Sequence, residues 1–501
     1  MNVVKKYYKR INDSIQAQTV VVRNESLIFV NLAVILFNFV YIFLRLRFVN
    51  SQVPFWYTQL WGDRMLANKQ LLYSLPLTSL AVLLFAILLE FVFKKYFVRY
   101  LKDVLLLFAT LVNILLTFSS IRIIFIASSP FTPLISPLVF SLIIPFAVAF
   151  AATALLLPSF IRFATDNDIV TNPKIHQHPG MVLQKPSARG GGSFYAVLFI
   201  VISLMFVGLP MKLLGFFVAV LMLGALGFVD DYQNTHPKSA FKALENPGLR
   251  LLLLFSAVAV LVLSGVVIKS VGNTFLGFLD LTKLNFKITD GYSYLLMYVF
   301  TSLWIAWVLN LLSWSNGIDG QYGGIVGIAS AFLCVLALRF TPLETIDKQV
   351  AIMAAISAGI AFGFTKYTWY PSNIMWGFGA TAAGLVISAL SVLINTKIMV
   401  SVLFLLIPFL DASVTFIRRL LQKKSPLRGD RGHFHHLLLD MGWSVPKIAR
   451  FYWITTFIFG LVGLFSSDRY LVQTLLIIGG IVAFFIVLIN LKSLKKQQPQ
   501  L

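Results

Sequence analysis

The sequence predicts an all-α membrane protein, a polytopic helical bundle of about 14 transmembrane helices in which three N-terminal spans precede an 11-span core. Three observations lead there. Of 501 residues, 58% are hydrophobic and 12% charged, with a mean hydropathy of +0.85; a soluble domain carries about a quarter charged residues. Apolar runs of roughly 18 to 23 residues, long enough to cross a bilayer, recur along the whole length. No segment alternates with period two, which argues against a β-barrel.

Taken in order, the first three runs lie near 27–47, 76–96 and 103–127. The other eleven lie near 136–157, 193–209, 211–228, 249–269, 291–311, 322–340, 348–364, 374–395, 397–416, 451–467 and 470–490. This gives an N-terminal extension over 1–130, a core over 131–492 and a tail over 493–501. The basic start MNVVKKYYKRINDS has no cleavage site after the first apolar run, which therefore reads as a retained span. The first three spans show no clustered polar residues beyond flanking charges such as Lys94, Lys95 and Arg99, and Glu90 near a span end reads as snorkelling. Cys334 is the single cysteine, so no disulfide forms within the chain.

With the N-terminus in the cytosol, the span count returns the C-terminal tail there and puts loops 158–192, 229–248, 312–321, 365–373 and 417–450 on the same side. Their excess of Lys and Arg follows the positive-inside bias. All six histidines (His176, His178, His236, His433, His435, His436) fall in those loops, as do Asp166, Asp168, Asp230, Asp231 and Asp430. Gathering titratable groups on one face suits an enzyme meeting a soluble substrate. The net charge of +22 suits anionic lipid and phosphate ligands. It does not suit nucleic acid, because the charge is spread over short loops.

Four stretches carry candidate chemistry. GFVDDYQN sets Asp230 and Asp231 at a span end, where adjacent carboxylates are costly unless compensated; Mg²⁺ on a pyrophosphate compensates them, and a solvated helix end is the alternative. WVLNLLSWSNGIDGQYGG offers Asn310, Asn316 and Asp319, with a bend near Gly317 to bring them together or a plain glycine-rich helix break. KPSARGGGSF offers Lys185, Arg189 and three glycines whose N–H groups can face an anion at a helix start; a flexible loop is the alternative. PFLDASVTFIRR sets Asp411 within pairing reach of Arg418 and Arg419. It leads into the most polar run, Arg418 to Trp443, with Arg431, His433, His435 and His436. A positive-inside loop explains the Lys and Arg of this run but not its three histidines, which can donate to phosphate or exchange a proton near neutrality.

These stretches, in this order over about 133–490, resemble the polyprenyl-phosphate N-acetylhexosamine-1-phosphate transferases of glycosyltransferase family 4. DRGHFHH resembles the branch that uses UDP-N-acetylglucosamine-type donors rather than the muramoyl-pentapeptide translocase. The resemblance implies transfer of a sugar-1-phosphate from a UDP-N-acetylhexosamine to undecaprenyl phosphate, releasing UMP and initiating a cell-envelope glycan. It implies Mg²⁺, with Mn²⁺ as a substitute, and a multi-pass protein of the bacterial plasma membrane with its active site and both termini cytosolic. A homodimer is a further open assignment. By resemblance, Asp230, Asp231 and Asp319 are the catalytic and metal-holding residues. Asn310 and Asp319 position the nucleotide or metal, Asn316 binds substrate, Arg431, His433, His435 and His436 bind diphosphate or sugar, and Lys185 and Arg189 bind lipid phosphate.

Two departures stand out. Where the family has NxxNxxDGxDG, this chain has Asn310, Ser313, Asn316 and Asp319, so only the last carboxylate is kept. Where it has a metal-binding Gly-Asp-x-Gly, this chain has Phe378 in place of the aspartate. Losing a carboxylate weakens a Mg²⁺ site. Three outcomes stay open: Asp319 compensates, substrate phosphates hold the metal, or the protein binds a lipid-linked or nucleotide sugar without turnover. A transporter fits poorly, because the polar groups gather at span ends and not at the midplane.

Overall fold

The computed structural model describes residues 24–56, 65–93, 99–128, 137–173, 183–236, 244, 246–274, 277–283, 286–288, 291–293, 295–339, 343–394, 398–423, 425, 431–466 and 469–497. Each of the predicted apolar runs overlaps a helix among the described residues, although those at 249–269, 291–311 and 374–395 also take in non-helical residues. The helices are α1 (Asn24–Arg45), α2 (Ser74–Phe93), α3 (Arg99–Ala127), α4 (Pro137–Asp166), α5 (Gly191–Val207), α6 (Met211–Thr235), α7 (Pro247–Leu263) and α8 (Leu295–Trp314). They continue as α9 (Gln321–Ala337), α10 (Thr345–Thr368), α11 (Ala380–Leu393), α12 (Ile398–Phe404), α13 (Leu406–Leu421), α14 (Phe434–Asp440), α15 (Val445–Phe465) and α16 (Leu471–Gln497). Among the described residues, nine helices are long and apolar enough to cross a membrane, ten if α12 and α13 form one bent span, and four apolar helices are shorter. Among the described residues four short antiparallel ladders, β1–β2 (Gln52–Pro54 with Leu66–Asn68), β3–β4 (Val170–Thr171 with Ser187–Ala188), β5–β6 (Ser270–Thr274 with Gly277–Asp280) and β7–β8 (Phe286–Ile288 with Gly291–Ser293), join helices without forming a sheet layer.

The single span expected over 397–416 is instead broken at Leu405, α12 and α13 meeting at 86°. Pro408 sits in the first turn of α13; its missing N–H and the clash of its ring with the carbonyl four residues back stop α12 from running on. The new direction gives α13 a polar face at helical spacing, with Asp411, Thr415 and Arg419 buried while Leu420 and Leu421 are exposed.

The chain divides into two units, Met1–Phe140 with Ala154–Phe163, and Ser141–Thr153 with Ala164–Leu501. In the first, Leu27, Ile35, Leu83, Ala86, Leu106 and Leu107 pack α1, α2 and α3 together. Its interior nonetheless holds polar groups: Asn31 Nδ2 donates to Thr110 Oγ1 at 2.8 Å and Asn113 Nδ2 donates to Asn31 Oδ1 at 2.6 Å. Spread over two distant segments, these residues form no cluster along the chain. Together they tie α1 to α3, and interhelical bonds of this kind are each worth roughly 0.6–2 kcal/mol in a bilayer.

In the second unit α11 is the central helix. Residues 380 to 392 are all buried, and α5, α6, α8, α9 and α10 pack around it. A helix apolar on every face belongs inside such a ring. Its small residues admit close neighbours: a Cβ at Gly384 would lie 2.8 Å from Leu309 Cα. The segment 372–379, which leads into α11, is thereby held at the centre of the unit, and the polar groups assemble on it.

Candidate active site

Helix α6 does not stop where its apolar run ends. It continues to Thr235, so Asp230 and Asp231 stand inside the helix, only 3% and 0% exposed. That burial rules out a solvated helix end, and each carboxylate is compensated. Asp231 Oδ1 accepts from Arg189 Nη1 at 3.2 Å and from the Phe378 amide at 3.3 Å, while its Oδ2 accepts from the Gly190 amide at 3.1 Å. Asp230 faces Arg250 Nη2 at 2.8 Å and accepts from Asn234 Nδ2 at 2.7 Å. The Arg250 guanidinium also lies 5.2 Å from the centre of the Phe378 ring and donates to Leu244 O.

Segment 372–378 is the hub. Its register is set by a backbone ladder: Val170 pairs with Ala188 and Thr171 with Ser187, and Ala188 also bonds Asn373 and Met375. Ser372 donates to Asp319 through both its amide (3.0 Å) and its hydroxyl (2.8 Å). Lys185 Nζ donates to Asn373 Oδ1 at 2.7 Å. Asn316 Nδ2 donates to Gly377 O at 3.3 Å. Gly377, at φ +64, touches Asp231 so closely that a Cβ there would lie 1.9 Å from Oδ2. Gly317, beside Asn316, presses on the His435 ring, where a Cβ would lie 2.4 Å from Nε2. An unbroken line of contacts thus runs from Asp231 through Gly377, Asn316 and Gly317 to His435, and the carboxylate pair and the histidines share one site. Burial raises the Asp319 carboxyl, opposed by the Ser372 bonds and Lys185; burial lowers the Lys185 ammonium, opposed by Asp319.

The histidine half is built by α13 and α14. Asp411 Oδ1 accepts from the Phe434 amide at 2.8 Å, its Oδ2 lies 3.5 Å from His433 Nδ1, and His433 Nε2 lies 3.4 Å from Arg419 Nη2. The Asp411 carboxylate therefore binds the start of α14, and Arg419 approaches through the imidazole. Trp314 borders this group, 5.9 Å from both the His433 ring and the Arg419 guanidinium. The rings of His433 and His435 lie parallel at 5.7 Å, with His436 4.3 Å from His435. Burial, then the neighbouring imidazoles, hold His435 well below its ordinary value. Burial, then His433 and Arg431, bring His436 down to about 4. Both are neutral at pH 7.

The predicted residues are not all used as expected. The glycine run does not present free N–H groups to a ligand: Gly190 donates to Asp231, Gly191 to Met375 O and Gly192 to Trp376 O. Its glycines serve close packing, since a Cβ at Gly192 would lie 2.0 Å from Gly379 C. Arg189 also donates to Thr171 Oγ1 from Nε, so it is anchored on two sides. Asn310 turns its amide back to Ala306 O, one turn along its own helix. Arg431 bonds Asp440 at 3.0 Å, a pair about half exposed. Asp319 is committed to Ser372, and among the described residues no group of three His, Cys, Asp or Glu is placed to hold a metal ion. The set Asp230, Asp231 and Asp319 thus does not converge as ligands. His176, His178, Asp430 and the Glu90 side chain lie outside the described residues.

Arg250, Ser372, Asn373 and Gly377 escaped the sequence reading. Arg250 had a signal, a lone cation at the head of the apolar run PGLRLLLL after two acidic residues. The other three lie where the expected aspartate is missing, and only their folded position reveals them.

The family described as glycosyl transferase family 4 matches residues 213–395, which contain the carboxylate pair, the Asn316–Asp319 turn and the hub. A Bacillus subtilis (strain 168) protein named probable undecaprenyl-phosphate N-acetylglucosaminyl 1-phosphate transferase is 26% identical over 208 residues, 40% of this chain and 57% of that one. The phospho-N-acetylmuramoyl-pentapeptide-transferase of Shouchella clausii (strain KSM-K16) is 25% identical over 337 residues, 66% of this chain and 97% of that one. The decaprenyl-phosphate N-acetylglucosaminephosphotransferase of Mycolicibacterium smegmatis is 24% identical over 212 residues, 38% of this chain and 52% of that one. The matched region thus spans little more than half of the Bacillus and Mycolicibacterium relatives and nearly all of the Shouchella one.

Proposed function

We propose, from its likeness over residues 213–395 to glycosyl transferase family 4 and to the relatives above, that this multi-pass membrane protein moves N-acetylhexosamine-1-phosphate from a UDP-sugar onto a polyprenyl phosphate at the cytosolic face of the membrane, initiating a cell-envelope glycan. The observation that carries this reading is the meeting of the carboxylate pair, its two guanidinium partners and His435 around segment 372–378. An oxygen of the lipid phosphate attacks the β-phosphorus, the bond from that phosphorus to the bridging oxygen breaks, and UMP leaves with the electron pair. Such a transfer asks for positioning and charge neutralisation more than for covalent help. Arg189 and Arg250, partly exposed beside the pair, are placed to receive phosphate oxygens. Asp230 and Asp231 aim those guanidinia, and Asp231 is the candidate to take any proton that the lipid phosphate carries. The neutral His435 and His436 serve as hydrogen-bonding groups and not as cations. The names of the Bacillus and Mycolicibacterium relatives favour an N-acetylglucosamine donor.

The test is membranes carrying the protein, radiolabelled UDP-N-acetylglucosamine and undecaprenyl phosphate. Lipid-extractable label is expected, falling by about a hundredfold or more in Asp231→Asn, since misplacement by about 1 Å can cost that much. Absence of label across several UDP-sugars, with nucleotide binding retained, would identify a protein that binds without turnover.

A further inference from the structure

The residues around the carboxylate pair do not fit the divalent ion that the resemblance implies. Asp231 uses both oxygens on three N–H donors, one of them the Arg189 guanidinium. Asp230 lies between Arg250 and Asn234. Two carboxylates and two guanidinia sum to zero formal charge, so an approaching dication gains little Coulomb energy from the cluster. No third carboxylate or imidazole joins the pair among the described residues. Phe378 closes the flank of the pair and holds the Arg250 guanidinium on its ring face. Asp319 is engaged by Ser372, which donates to both of its oxygens, and among the described residues it forms no metal-holding group with the pair.

The geometry points to a guanidinium in the place of the ion: this chain captures the diphosphate of its sugar nucleotide on Arg250, supported by Arg189, without a divalent cation. The inference rests on the transferase reading. Arg250 is the more exposed candidate of the two. Its side chain is 33% exposed against 21% for Arg189; Leu244 O holds it as the Thr171 hydroxyl holds Arg189. A guanidinium is always charged, and its planar fork matches two phosphate oxygens. An incoming diphosphate gives Arg250 a partner with more charge than Asp230, and the ring of Phe378 offers a face along which the guanidinium can turn.

The experiment measures binding of UDP-N-acetylglucosamine to the purified full chain in detergent, in excess EDTA and in excess MgCl₂. The affinities are expected to agree within about twofold, while Arg250→Gln weakens binding about tenfold or more in both buffers, the scale of one charge-assisted bond. Arg250→Lys, which keeps the charge and the ion pair, is expected to fall between them and guards against a folding defect in Arg250→Gln. Phe378→Asp supplies a third carboxylate and is expected to make binding respond to Mg²⁺. Binding that vanishes in EDTA, returns with Mg²⁺ and ignores Arg250→Gln overturns the inference but leaves the transferase reading intact. Absence of binding in either buffer overturns both.

Discussion

The two halves of the site handle polar groups at an apolar boundary in opposite ways. Around Asp230 and Asp231 each carboxylate faces a guanidinium, from Arg250 and Arg189. Around His435 and His436 burial suppresses protonation, and the rings meet at a tilt as neutral groups. Burying an unpaired charge costs far more than burying a neutral imidazole. One half is thus held by charge pairing, and the other is a neutral wall of donors and acceptors. For a reaction at phosphorus this divides the work: the first half meets charge, and the second shapes the space beside it.

The largest effect is expected where the halves touch. Gly377→Ala places a Cβ at φ +64 against the Asp231 carboxylate. Backbone strain of about 1–3 kcal/mol and a displaced carboxylate follow, with transfer down about a hundredfold. Gly442→Ala is the control, at φ +88 with nothing within 4 Å of the new carbon; it carries the strain but should keep most of the transfer. Equal loss of transfer in both would remove the special standing of the contact between Gly377 and Asp231.

An intermediate effect concerns acid stability. The folded value of His436 is about 4 against an ordinary 6.5, so the unfolded chain binds the extra proton between those values. Its contribution is fully present above about pH 6.5 and is lost as pH falls to about 4, on the order of 3 kcal/mol for a shift of that size. His436→Gln should flatten the fall in thermal midpoint across that window. An unchanged slope would mean that His436 is charged in the folded protein. His435 shifts in the same direction and leaves a residual slope.

The smallest effect is expected at Arg431. Its exposed bond to Asp440 is worth roughly 0–1 kcal/mol, so Arg431→Ala should leave the thermal midpoint and the transfer rate near those of the parent. A loss of transfer above about tenfold would place Arg431 in the substrate site, as its sequence motif suggests, and would extend the charged half across α14.

How far the site was legible varies by residue. Asp230, Asp231 and the histidines stand out because charged or titratable groups are rare in so apolar a chain. The roles of Lys185, Arg189 and Arg431 were not legible, because a basic loop residue looks the same whether it meets a ligand, a carboxylate on another helix or, like Arg431, a carboxylate nine residues on. The hub was misjudged for a related reason: without its aspartate, SNIMWGF reads as a loop that has lost a ligand, although its amides and carbonyls organise the site.

The helical type and order of the apolar runs, and the two polar halves, follow from the sequence alone, because hydropathy over some twenty residues is a local property that the bilayer enforces. The tertiary structure decided which cation faces which carboxylate, that Pro408 breaks a span, and that glycines at 190–192 and 377 serve contact between backbones. Those choices depend on residues up to 188 positions apart, as in the bond from Lys185 to Asn373, and on distances of a few ångströms that only packing around α11 fixes.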